Sequence, residues 1–492
     1  MSVSTAAPAT HSPADLRDLF TRQRETFLRE GPPSADVRRN RIDRLLSALL
    51  TAAEPLTAAI NEDFGNRPAQ FSLVADVLSV VDAGNHARDN LERWMQPIEV
   101  DDPASAFIPT TIDIDPLGVV GIIGPWNFPV GLVLHPAVEA LAAGNRVMIK
   151  FSDADPTAGA VLEQTIARAF PDEAVVVVNG GLDLSTAFSD LPFDHLFFTG
   201  SPAVGKLVQR AASANLTPVT LELGGKNPVV VAHDADIATV AERVAAARLL
   251  NGGQICLCPD YVFVPTEKVN RFVDLMQQAF IRLFPDFASN PGIVTLINEK
   301  NYRRVQGLID DAIHKGARAV IGASAADQES LPDPVGRRIA PTILLDVTDD
   351  MTIAREEIFG PVIVVFPFDT VSEPIDYITH RPSPLAAYWY GDDTEDYREF
   401  RRRTASGGMT RNDFALHLGL HDVPFGGIGQ SGMGVYHGKA GFDTFSHQRA
   451  VATALVTKSA ALTMTPSTFT EEALAGLYSA VNAALDAVNT RL

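Results

Sequence analysis

The sequence predicts an α/β protein built on two parallel β-sheets. Its 492 residues exceed the roughly 250–300 at which a single hydrophobic core stops growing. After Leu117, short apolar β runs alternate with helix-like segments, a pattern typical of a parallel sheet covered on both faces. A second series of the same kind begins near Asn227 and continues past Phe368. We therefore expect two α/β domains.

The chain ahead of the first sheet is helical in pattern. Over residues 13–96, apolar side chains recur mostly at helical spacings, beginning with Leu16 and Phe20. Pro32 and Pro33 separate the first two predicted helices. A short T-I-D-I-D alternation follows at 111–115 and favours an exposed strand. The prolines around it confine that strand to a sheet edge or a protruding hairpin.

The first sheet is predicted from five β runs in order: V-V-G-I-I, R-V-M-I-K, A-V-V-V-V, H-L-F-F-T and V-T-L-E-L. At the other end of the chain, Thr470 is a plausible N-cap for an amphipathic helix. Its apolar stripe consists of Leu474, Leu477, Val481, Leu485 and Val488. We expect this stripe to pack in the core or against another subunit. A membrane anchor is disfavoured because Asn482 and Asp486 interrupt the segment.

Composition excludes several classes of function. A net charge of −20 disfavours a nucleic-acid partner, because such binding depends on clustered Lys and Arg. Apolar runs such as Val175–Val178 are too short to span a bilayer, and the N-terminus lacks the features of a secretory signal. Two cysteines cannot form a disulfide framework, so we expect a cytoplasmic protein. No His/Cys cluster has metal-ligand spacing, and we predict no metal site.

The chemistry is predicted from three short stretches. Cys256 follows two glycines in N-G-G-Q-I-C-L-C, and an accessible thiolate beside a base is a nucleophile. Glu222 ends an apolar strand, where burial would raise its pKa and suit a general base. Asn127 is an amide held between two prolines in P-W-N-F-P and could stabilise an oxyanion. Each residue alone has a structural alternative: a buried apolar cysteine, a capping carboxylate, or a turn asparagine.

Taken together, these stretches resemble the aldehyde dehydrogenase superfamily. The resemblance extends from about Leu16 to Val451 and includes P-W-N-F-P, F-T-G-S-P-A-V-G, L-E-L-G-G-K-N-P, G-Q-I-C, E-E-I-F-G-P-V and P-F-G-G-I-G-Q-S-G-M-G. The segments N-D-F-A-L-H and S-G-M-G-V-Y-H-G-K are similar to the class 3 branch. Within that branch, the chain is most similar to the bacterial coniferyl aldehyde dehydrogenases.

The resemblance implies a catalytic mechanism. Cys256 would attack the aldehyde carbonyl, and the amide of Asn127 with the N–H of Cys256 would stabilise the thiohemiacetal oxyanion. Hydride would pass to the nicotinamide, and Glu222 would activate the water that hydrolyses the thioester. Cys258 would have a structural role, with a strained reversible link to Cys256 as the less favoured alternative.

The resemblance also implies an NAD or NADP site. The turn from Gly200 to Gly205 follows a predicted strand and opens a helix, whose N–H groups would face the pyrophosphate. Asp153 replaces the glutamate that the family often has there, and the shorter carboxylate leaves NADP use open. The residues expected to bind the cofactor are Ile123, Trp126, Lys150, Asp153, Gly200, Ser201, Gly205, Glu357 and Phe359.

The substrate loop is expected at 411–423. Its apolar residues, Phe414, Leu416, Leu418 and Leu420, favour an aromatic aldehyde such as coniferyl aldehyde, or a medium-chain aliphatic one. His417 and His421 could reach a phenolic oxygen but fit better as ordinary loop residues, and His437 as a packing residue. Rival functions are an acylating aldehyde dehydrogenase, a cysteine-dependent thioester hydrolase and a non-enzymatic paralogue.

The fold that the family implies has two parallel-sheet α/β domains and a small β oligomerisation arm. The NAD(P)-binding domain would comprise 1–97 and 117–223, and the catalytic domain 224–430. The bridging segment would comprise 98–116 and 431–492. Exposed strands in such an arm would have unpaired backbone groups that can pair with a sheet of a second chain, so we expect a homodimer.

Overall fold

A computed structural model describes residues 11–102, 108–454 and 459–492. Residues 1–10, on which the argument against a secretory signal depends, lie outside these ranges. The chain divides into two compact units, the first comprising residues up to 95 together with 115–446, and the second comprising 96–114 together with 447–492. All the predicted site residues belong to the first unit. The boundary between cofactor and catalytic domains at 223 stays a prediction, because both large sheets lie in that one unit.

The N-terminal region is helical, as predicted. The elements are α1 (Pro13–Glu30), α2 (Ala35–Thr51), α3 (Ala53–Phe64), α4 (Ala69–Ser72), a π-helical turn (Leu73–Leu78) and α5 (Ser79–Trp94). Ser12 begins α1 with a capping box, in which its hydroxyl accepts the N–H of Asp15 and the Asp15 carboxylate accepts the N–H of Ser12. Ser34 caps α2 in the same way through the N–H of Val37.

The first sheet has six strands, and its five predicted strands are confirmed. They are β3 (Val119–Ile123), β4 (Arg146–Lys150), β5 (Val175–Val178), β6 (His195–Gly200), β7 (Val219–Leu223) and the later β15 (Gly432–Met433). The intervening helices are α6 (Gly131–Ala142), α7 (Pro156–Ala169), α8 (Leu182–Ser189) and α9 (Pro202–Ser213). The strand order is β15-β7-β6-β3-β4-β5, parallel except for β15. The carboxyl ends of β6, β3 and β4 are therefore neighbours at one edge.

The second sheet confirms the second α/β series. Its strands are β8 (Asn227–Val231), β9 (Pro259–Pro265), β10 (Arg318–Ile321), β11 (Thr342–Leu345), β12 (Val362–Phe368), β13 (Ala386–Tyr390) and β14 (Gly408–Arg411). The helices are α10 (Ile237–Leu249), α11 (Val269–Leu283), α12 (Glu299–His314), α13 (Ala325–Gln328), α14 (Thr352–Arg355), α15 (Ser372–Thr379), α16 (Glu395–Arg403) and α17 (Gly438–Thr444). The order is β10-β11-β12-β9-β8-β13-β14, parallel except for β10.

Each sheet has its own apolar core. Met148, Leu196 and Leu221 of the first sheet pack with Leu16 of α1 and Phe188 of α8. In the second sheet, buried side chains from β9, β12 and β13 cluster with others from α12 and α16. Burying one such side chain fully contributes about 1.5–3 kcal/mol. These two cores fix the strand ends that carry the candidate site.

The second unit contains a three-stranded sheet and the C-terminal helix. The strands are β1 (Ile98–Glu99), β2 (Thr110–Pro116) and β16 (Ser446–Ala452), in the order β1-β2-β16. β1 and β2 are antiparallel neighbours, in agreement with the hairpin, one of the two predicted alternatives, whereas the central position of β2 excludes the other alternative, a sheet edge. A central place is possible because its prolines flank the T-I-D-I-D stretch.

Helix α18 (Glu471–Asn489) begins at Thr470, whose side chain accepts the N–H of Ala473 at 3.1 Å, as predicted. Its apolar stripe is exposed, with Leu477 at 65% of full exposure, and packing of this stripe in the core or against another subunit stays a prediction. In the described ranges, none of the helices has the length and apolar character needed to cross a membrane.

Candidate active site

The loop that carries Cys256 has an unusual backbone. After α10, a 3₁₀ turn (Leu250–Gly253) contains three consecutive left-handed residues: Asn251, Gly252 and Gly253, with φ of 50°, 65° and 78°. A Cβ on Gly252 would lie 2.9 Å from the carbonyl oxygen of Val294. Only glycine avoids both the steric penalty of this conformation and that contact. The N-G-G run is therefore required to turn the chain into Cys256.

Two buried side chains hold this loop in place. Asn227, at the start of β8, donates to the carbonyl oxygens of Cys256 at 2.7 Å and Cys258 at 3.0 Å. Arg248 donates to the carbonyls of Gly360 at 2.9 Å and Pro259 at 2.7 Å. Both side chains are almost fully buried. Buried hydrogen bonds of this kind fix backbone positions, since breaking one leaves an unpaired polar group.

The two cysteines have different environments. Cys256 is partly exposed, and no disulfide joins the two thiols. Burial raises the pKa of the Cys256 thiol well above its usual value, and the carboxyl groups of Glu357 and Glu222 raise it further. Cys258 is buried, and its sulfur donates to the carbonyl of Ala247 at 3.4 Å. This contact is consistent with the structural role predicted for Cys258.

Asn127 lies in the turn between β3 and α6 and is bonded through both its side chain and its backbone. Its amide nitrogen donates to the carbonyl of Gln254 at 3.0 Å, two residues before Cys256. Its own carbonyl accepts from Asn251 at 3.1 Å and from Arg67 at 2.8 Å. The turn and the cysteine loop are thus joined by direct hydrogen bonds.

Glu222 occupies a contrasting environment. It pairs in register with Thr199 of β6 and Gly432 of β15, and it is 4% exposed. Neither carboxyl oxygen has a hydrogen-bond partner among the described residues. Burial raises the pKa of Glu222 well above its usual value, and a second buried carboxyl, Glu139, raises it further. A carboxyl of this kind takes up a proton readily near neutral pH.

The three predicted catalytic residues lie in one region of the first unit. Asn127 bonds to the cysteine loop, and Glu222 lies close enough to Cys256 to affect its pKa. A Cβ on Gly426 would approach a Glu222 oxygen at 3.1 Å, so the P-F-G-G segment closes over this carboxyl.

Three of the predicted cofactor residues, Ile123, Lys150 and Gly200, lie at the carboxyl edge of the first sheet. Ile123 ends β3 in register with Lys150 at the end of β4, and Gly200 ends β6 on the other side. Ligands of open parallel sheets bind at this edge. Lys150 is buried and donates to the carbonyl of Phe151 at 2.6 Å. Burial lowers the pKa of Lys150 to about 8.

The start of α9 suits a pyrophosphate. Ser201 is its N-cap, and its hydroxyl accepts the N–H of Val204 at 3.4 Å. Gly205 lies against β7, where a Cβ would be 2.8 Å from Leu223. The N–H groups at this helix start favour an anionic ligand. Val204 and Leu207 are exposed nearby and offer an apolar surface that the sequence did not reveal.

Glu357 and Phe359 belong to the segment before β12, and the Glu357 carboxyl raises the pKa of Cys256. Glu357 accepts the N–H of Gly225, and burial raises its pKa to about 8. Phe359 has a left-handed φ of 48° and packs edge-on against Trp126 with ring centroids 5.3 Å apart. Asp153, in contrast, is an exposed loop residue. A buried lysine, a helix start beside an apolar surface and an aromatic pair near the thiol together fit a nicotinamide dinucleotide.

The substrate loop contacts the cysteine loop through one tyrosine. Phe414 packs on Tyr388 with ring centroids 5.8 Å apart, and the Tyr388 hydroxyl donates to the carbonyl of Leu257 at 2.7 Å. Leu416, Leu418 and Leu420 are exposed, which keeps the loop apolar at its surface.

The three histidines have local partners. His417 bonds to Thr410 at 2.8 Å and His421 to Asp82 at 2.9 Å. His437 packs on Phe425 at 5.2 Å between ring centroids, and burial lowers its pKa to about 3. These contacts agree with the loop and packing roles predicted for them.

Several functional residues were not predicted from the sequence. Asn227 and Arg248 hold the cysteine loop, Arg67 holds the Asn127 turn, and Glu139 raises the pKa of Glu222. The Lys226–Asn227 pair lies within L-E-L-G-G-K-N-P and was a usable signal. Arg67 is a charged residue in the polar loop between α3 and α4, and Glu139 lies in the apolar helix α6, so only their contacts identify them.

Comparison with known proteins gives consistent matches. The model of the family described as "Aldehyde dehydrogenase family" matches residues 7–451. A protein of Caulobacter vibrioides named "Probable coniferyl aldehyde dehydrogenase" is 45% identical over 443 residues, covering 89% of this chain and 91% of the relative. The Mus musculus protein "Aldehyde dehydrogenase family 3 member B3" is 37% identical over 441 residues, covering 88% of each chain.

A solved structure is similar over nearly its whole length. It is described as the substrate-bound state of Staphylococcus aureus AldH, with a TM-score of 0.86 and 30% sequence identity. The match covers 94% of this chain and 99% of that one. The arrangement of two parallel sheets and a small antiparallel sheet is therefore shared with a known fold.

Proposed function

This chain belongs to the aldehyde dehydrogenase family, and on that premise we propose that it oxidises an aromatic aldehyde to the carboxylic acid through a thioester on Cys256. The family, its class 3-like branch and the assignment as an aldehyde dehydrogenase that uses a nicotinamide cofactor agree with the sequence prediction. The cysteine mechanism, the roles of individual residues and the substrate class are the proposal.

One observation carries the mechanism: the Asn127 side chain is hydrogen-bonded to the loop that carries Cys256, and the buried Glu222 carboxyl is near enough to raise the pKa of that thiol. The hydrogen bond from Asn127 to the carbonyl of Gln254 uses one of the two amide hydrogens. The second hydrogen is available to an oxyanion formed on the carbon that Cys256 attacks. A donor already oriented in this way stabilises developing charge without reorganisation.

The first half-reaction forms the thioester. The sulfur of Cys256 attacks the carbonyl carbon, and the amide of Asn127 with the N–H of Cys256 stabilises the resulting oxyanion. A bound oxidised nicotinamide would supply the acceptor for the hydride that leaves the carbon. Burial raises the pKa of the Cys256 thiol, so the thiol must first lose its proton to a base or to solvent before its sulfur attacks.

The second half-reaction hydrolyses the thioester. Glu222 takes a proton from a water molecule, whose oxygen attacks the thioester carbon and displaces the sulfur of Cys256. Burial raises the pKa of Glu222, which favours uptake of that proton. A carboxyl with no competing hydrogen-bond partner is free to bind that water.

The cofactor would be held by the residues named from the sequence. Lys150 and Ser201 would hold the adenosine and pyrophosphate part, and Glu357 and Phe359 the nicotinamide riboside. Asp153 is exposed and short, so we propose that NAD and NADP are both accepted to some degree.

The substrate class is inferred from the loop and the relatives. Phe414 and Tyr388 form an aromatic pair bonded to the cysteine loop, which favours a flat substrate. The Caulobacter relative bears the name of a coniferyl aldehyde dehydrogenase. We therefore propose an aromatic aldehyde of this type over a medium-chain aliphatic one. The buried Glu222 argues against an acylating enzyme, which would have no need of a base for water.

We also propose the two-domain division at residue 223 and a homodimer. The exposed apolar stripe of α18 and the small sheet of the second unit would contribute to the subunit interface.

Rapid mixing of enzyme, cofactor and coniferyl aldehyde tests this function. Cys256→Ala should abolish formation of the reduced cofactor while leaving cofactor binding near normal. Glu222→Gln should keep a burst of about one reduced cofactor per active site and slow the following steady state about 10²–10⁴-fold. Turnover by the Cys256 variant, or a Glu222 variant with no burst and unchanged deacylation, would contradict the mechanism. The same measurement with hexanal compares a medium-chain aliphatic aldehyde with the aromatic one, and coniferyl aldehyde should react faster.

A further inference from the structure

A buried ion pair lies directly behind the Asn127 turn. Arg67 follows α3, and Asp76 is in the π-helical turn Leu73–Leu78. A guanidinium nitrogen of Arg67 donates to the Asp76 carboxylate at 2.6 Å, and both side chains are fully inaccessible to solvent. The pair therefore cannot serve to solubilise the surface.

The same pair holds the turn at both ends. The other terminal nitrogen of Arg67 donates to the carbonyl oxygen of Asn127 at 2.8 Å. The second Asp76 oxygen accepts the N–H groups of Val130 at 3.2 Å and Gly131 at 3.0 Å, where α6 begins. The residues between these contacts form the N-F-P turn, so one ion pair fixes its entry and its exit.

Stability alone does not explain such a pair. Removing two charges from water is costly, and well-packed apolar residues of similar volume often stabilise a core as well or better. The guanidinium is enclosed by the rings of Phe64, Phe71 and Phe128, at 4.8, 5.2 and 5.1 Å from their centroids. An apolar pair would fill this space equally well but could not bond to the turn. What the ion pair adds is the position of the Asn127 backbone.

A π-helical turn at Asp76 gives further support. Such turns are rare within helices and are frequent at functional sites. Here the turn lies between α4 and α5, in the stretch that brings the Asp76 carboxylate to the N–H groups of Val130 and Gly131.

We propose that Arg67 and Asp76 are positioning residues for the oxyanion step: they hold the Asn127 turn so that its side-chain amide faces the carbonyl oxygen attacked by Cys256. This inference rests on the proposed role of Asn127. Removal of one oxyanion donor typically slows catalysis about 10²–10³-fold. A shift of about 1 Å in a catalytic group can slow it about 10²-fold. Loss of the pair should approach, but not exceed, loss of the donor.

A double-mutant cycle tests the proposal. The single-turnover rate of reduced-cofactor formation is measured with coniferyl aldehyde for the parent, Arg67→Met, Asn127→Ala and the combined variant. Arg67→Met should slow this rate about 10–100-fold in the parent. In the Asn127→Ala background it should slow it less than about threefold, because the amide that it positions is already absent. Asp76→Asn should behave like Arg67→Met, but less severely.

Alkylation of Cys256 by iodoacetamide separates positioning from damage to the fold. This reaction attacks a saturated carbon and forms no oxyanion, so its rate should stay within about threefold of the parent. A variant that replaces both partners, Arg67→Met with Asp76→Leu, restores apolar packing. It should remain folded and alkylate normally, yet form reduced cofactor slowly.

Arg38→Met is the matched control. Arg38 is also buried and donates to two backbone carbonyls, those of Pro33 and Ala142, but it does not contact the Asn127 turn. It should lower stability without changing the single-turnover rate. Equal slowing by Arg67→Met in both backgrounds, or a parallel fall in alkylation, would overturn the positioning role. An Asn127→Ala enzyme with the parent rate would instead refute the proposed function, and with it this role.

Discussion

The two sides of the candidate site are built differently. On one side, buried side chains donate hydrogen bonds to the backbone carbonyls of the Asn127 turn and the Cys256 loop. On the other side, Glu222 and Glu139 are buried, and Glu222 has no hydrogen-bond partner on either oxygen among the described residues. Hydrogen bonds therefore fix the turn and the loop, whereas none among the described residues fixes the Glu222 carboxyl.

The difference follows from what each region has to control. Oxyanion stabilisation depends on distance and direction, so hydrogen bonds that restrict the backbone serve it. Base catalysis depends on proton affinity, so a carboxyl is left in an apolar pocket that raises its pKa. Variants on the bonded side should therefore change rates and stability. Variants on the open side should change pH dependence.

The largest effect is expected from Asn227→Ala on the bonded side. The change removes the donor to the carbonyls of Cys256 and Cys258 and leaves the N–H of Ala386 without its acceptor. Each buried group left unpaired costs about 1–3 kcal/mol. We expect the apparent Tm to fall by roughly 5 °C or more, because about 1 kcal/mol shifts Tm by about 2–4 °C in large domains. Single-turnover formation of reduced cofactor should slow about tenfold or more.

Asn215→Ala is the control for this variant. The side chain of Asn215 donates to the carbonyl of Asp190 at an exposed position. Calorimetry and single-turnover kinetics should show little change. A full rate in Asn227→Ala, despite a lowered Tm, would mean that the bonded side stabilises the fold without setting the geometry.

The two sides also differ in how far the sequence predicts them. Glycines and the nucleophile are local signals: N-G-G before Cys256 predicts a tight turn, and that turn is present. The strand that ends near Glu222 is a continuous apolar run, and the sequence predicted it equally well. Parallel strands bring their carboxyl ends to one edge, so the meeting of Ile123, Lys150 and Gly200 follows from the fold class.

The sequence did not predict the polar partners that are distant in the chain. Arg67 is 60 residues from Asn127, and nothing in its neighbourhood distinguishes it from a surface arginine. Glu139 lies in the apolar stretch of α6, where a helical pattern predicts only burial. The sequence left an edge and a hairpin open for β2 because strand order depends on β16, more than 300 residues later. Local pattern gives elements and turns, whereas contacts between distant polar groups require the folded chain.

A smaller effect, confined to pH dependence, is expected from Glu139→Gln on the open side. Glu139 is a cause, after burial, of the raised pKa of Glu222. Removing it should lower the pKa of Glu222, so that the base ionises at lower pH. The acidic limb of the profile of kcat against pH should move to lower pH, while the plateau rate changes only a few-fold. Steady-state rates between pH 5 and 9 measure this shift.

Stability gives an independent measurement on the same variant. The folded-state pKa of Glu139 lies well above its ordinary value of 4.5, so the folded chain binds this proton more tightly than the unfolded chain. Its contribution to the free energy of unfolding therefore falls as pH rises above about 4.5. Glu139→Gln should reduce the loss of Tm between pH 5 and pH 8. An unchanged pH profile together with an unchanged Tm difference would show that the two carboxyls are not coupled.

The smallest effect is expected from Cys258→Ala. Cys258 is buried two residues from the nucleophile, but its sulfur bonds weakly to the carbonyl of Ala247 in α10. Since Asn227 already holds the carbonyls of Cys256 and Cys258, the thiol adds packing, worth about 1 kcal/mol. Single-turnover rates should stay within about twofold, and Cys258→Ser, which retains a donor toward Ala247, should match the parent more closely.

Inactivation by hydrogen peroxide distinguishes the less favoured disulfide role. If a Cys256–Cys258 link protects the nucleophile, both variants will lose activity irreversibly faster than the parent, whereas a packing residue leaves the parent and variant time courses the same.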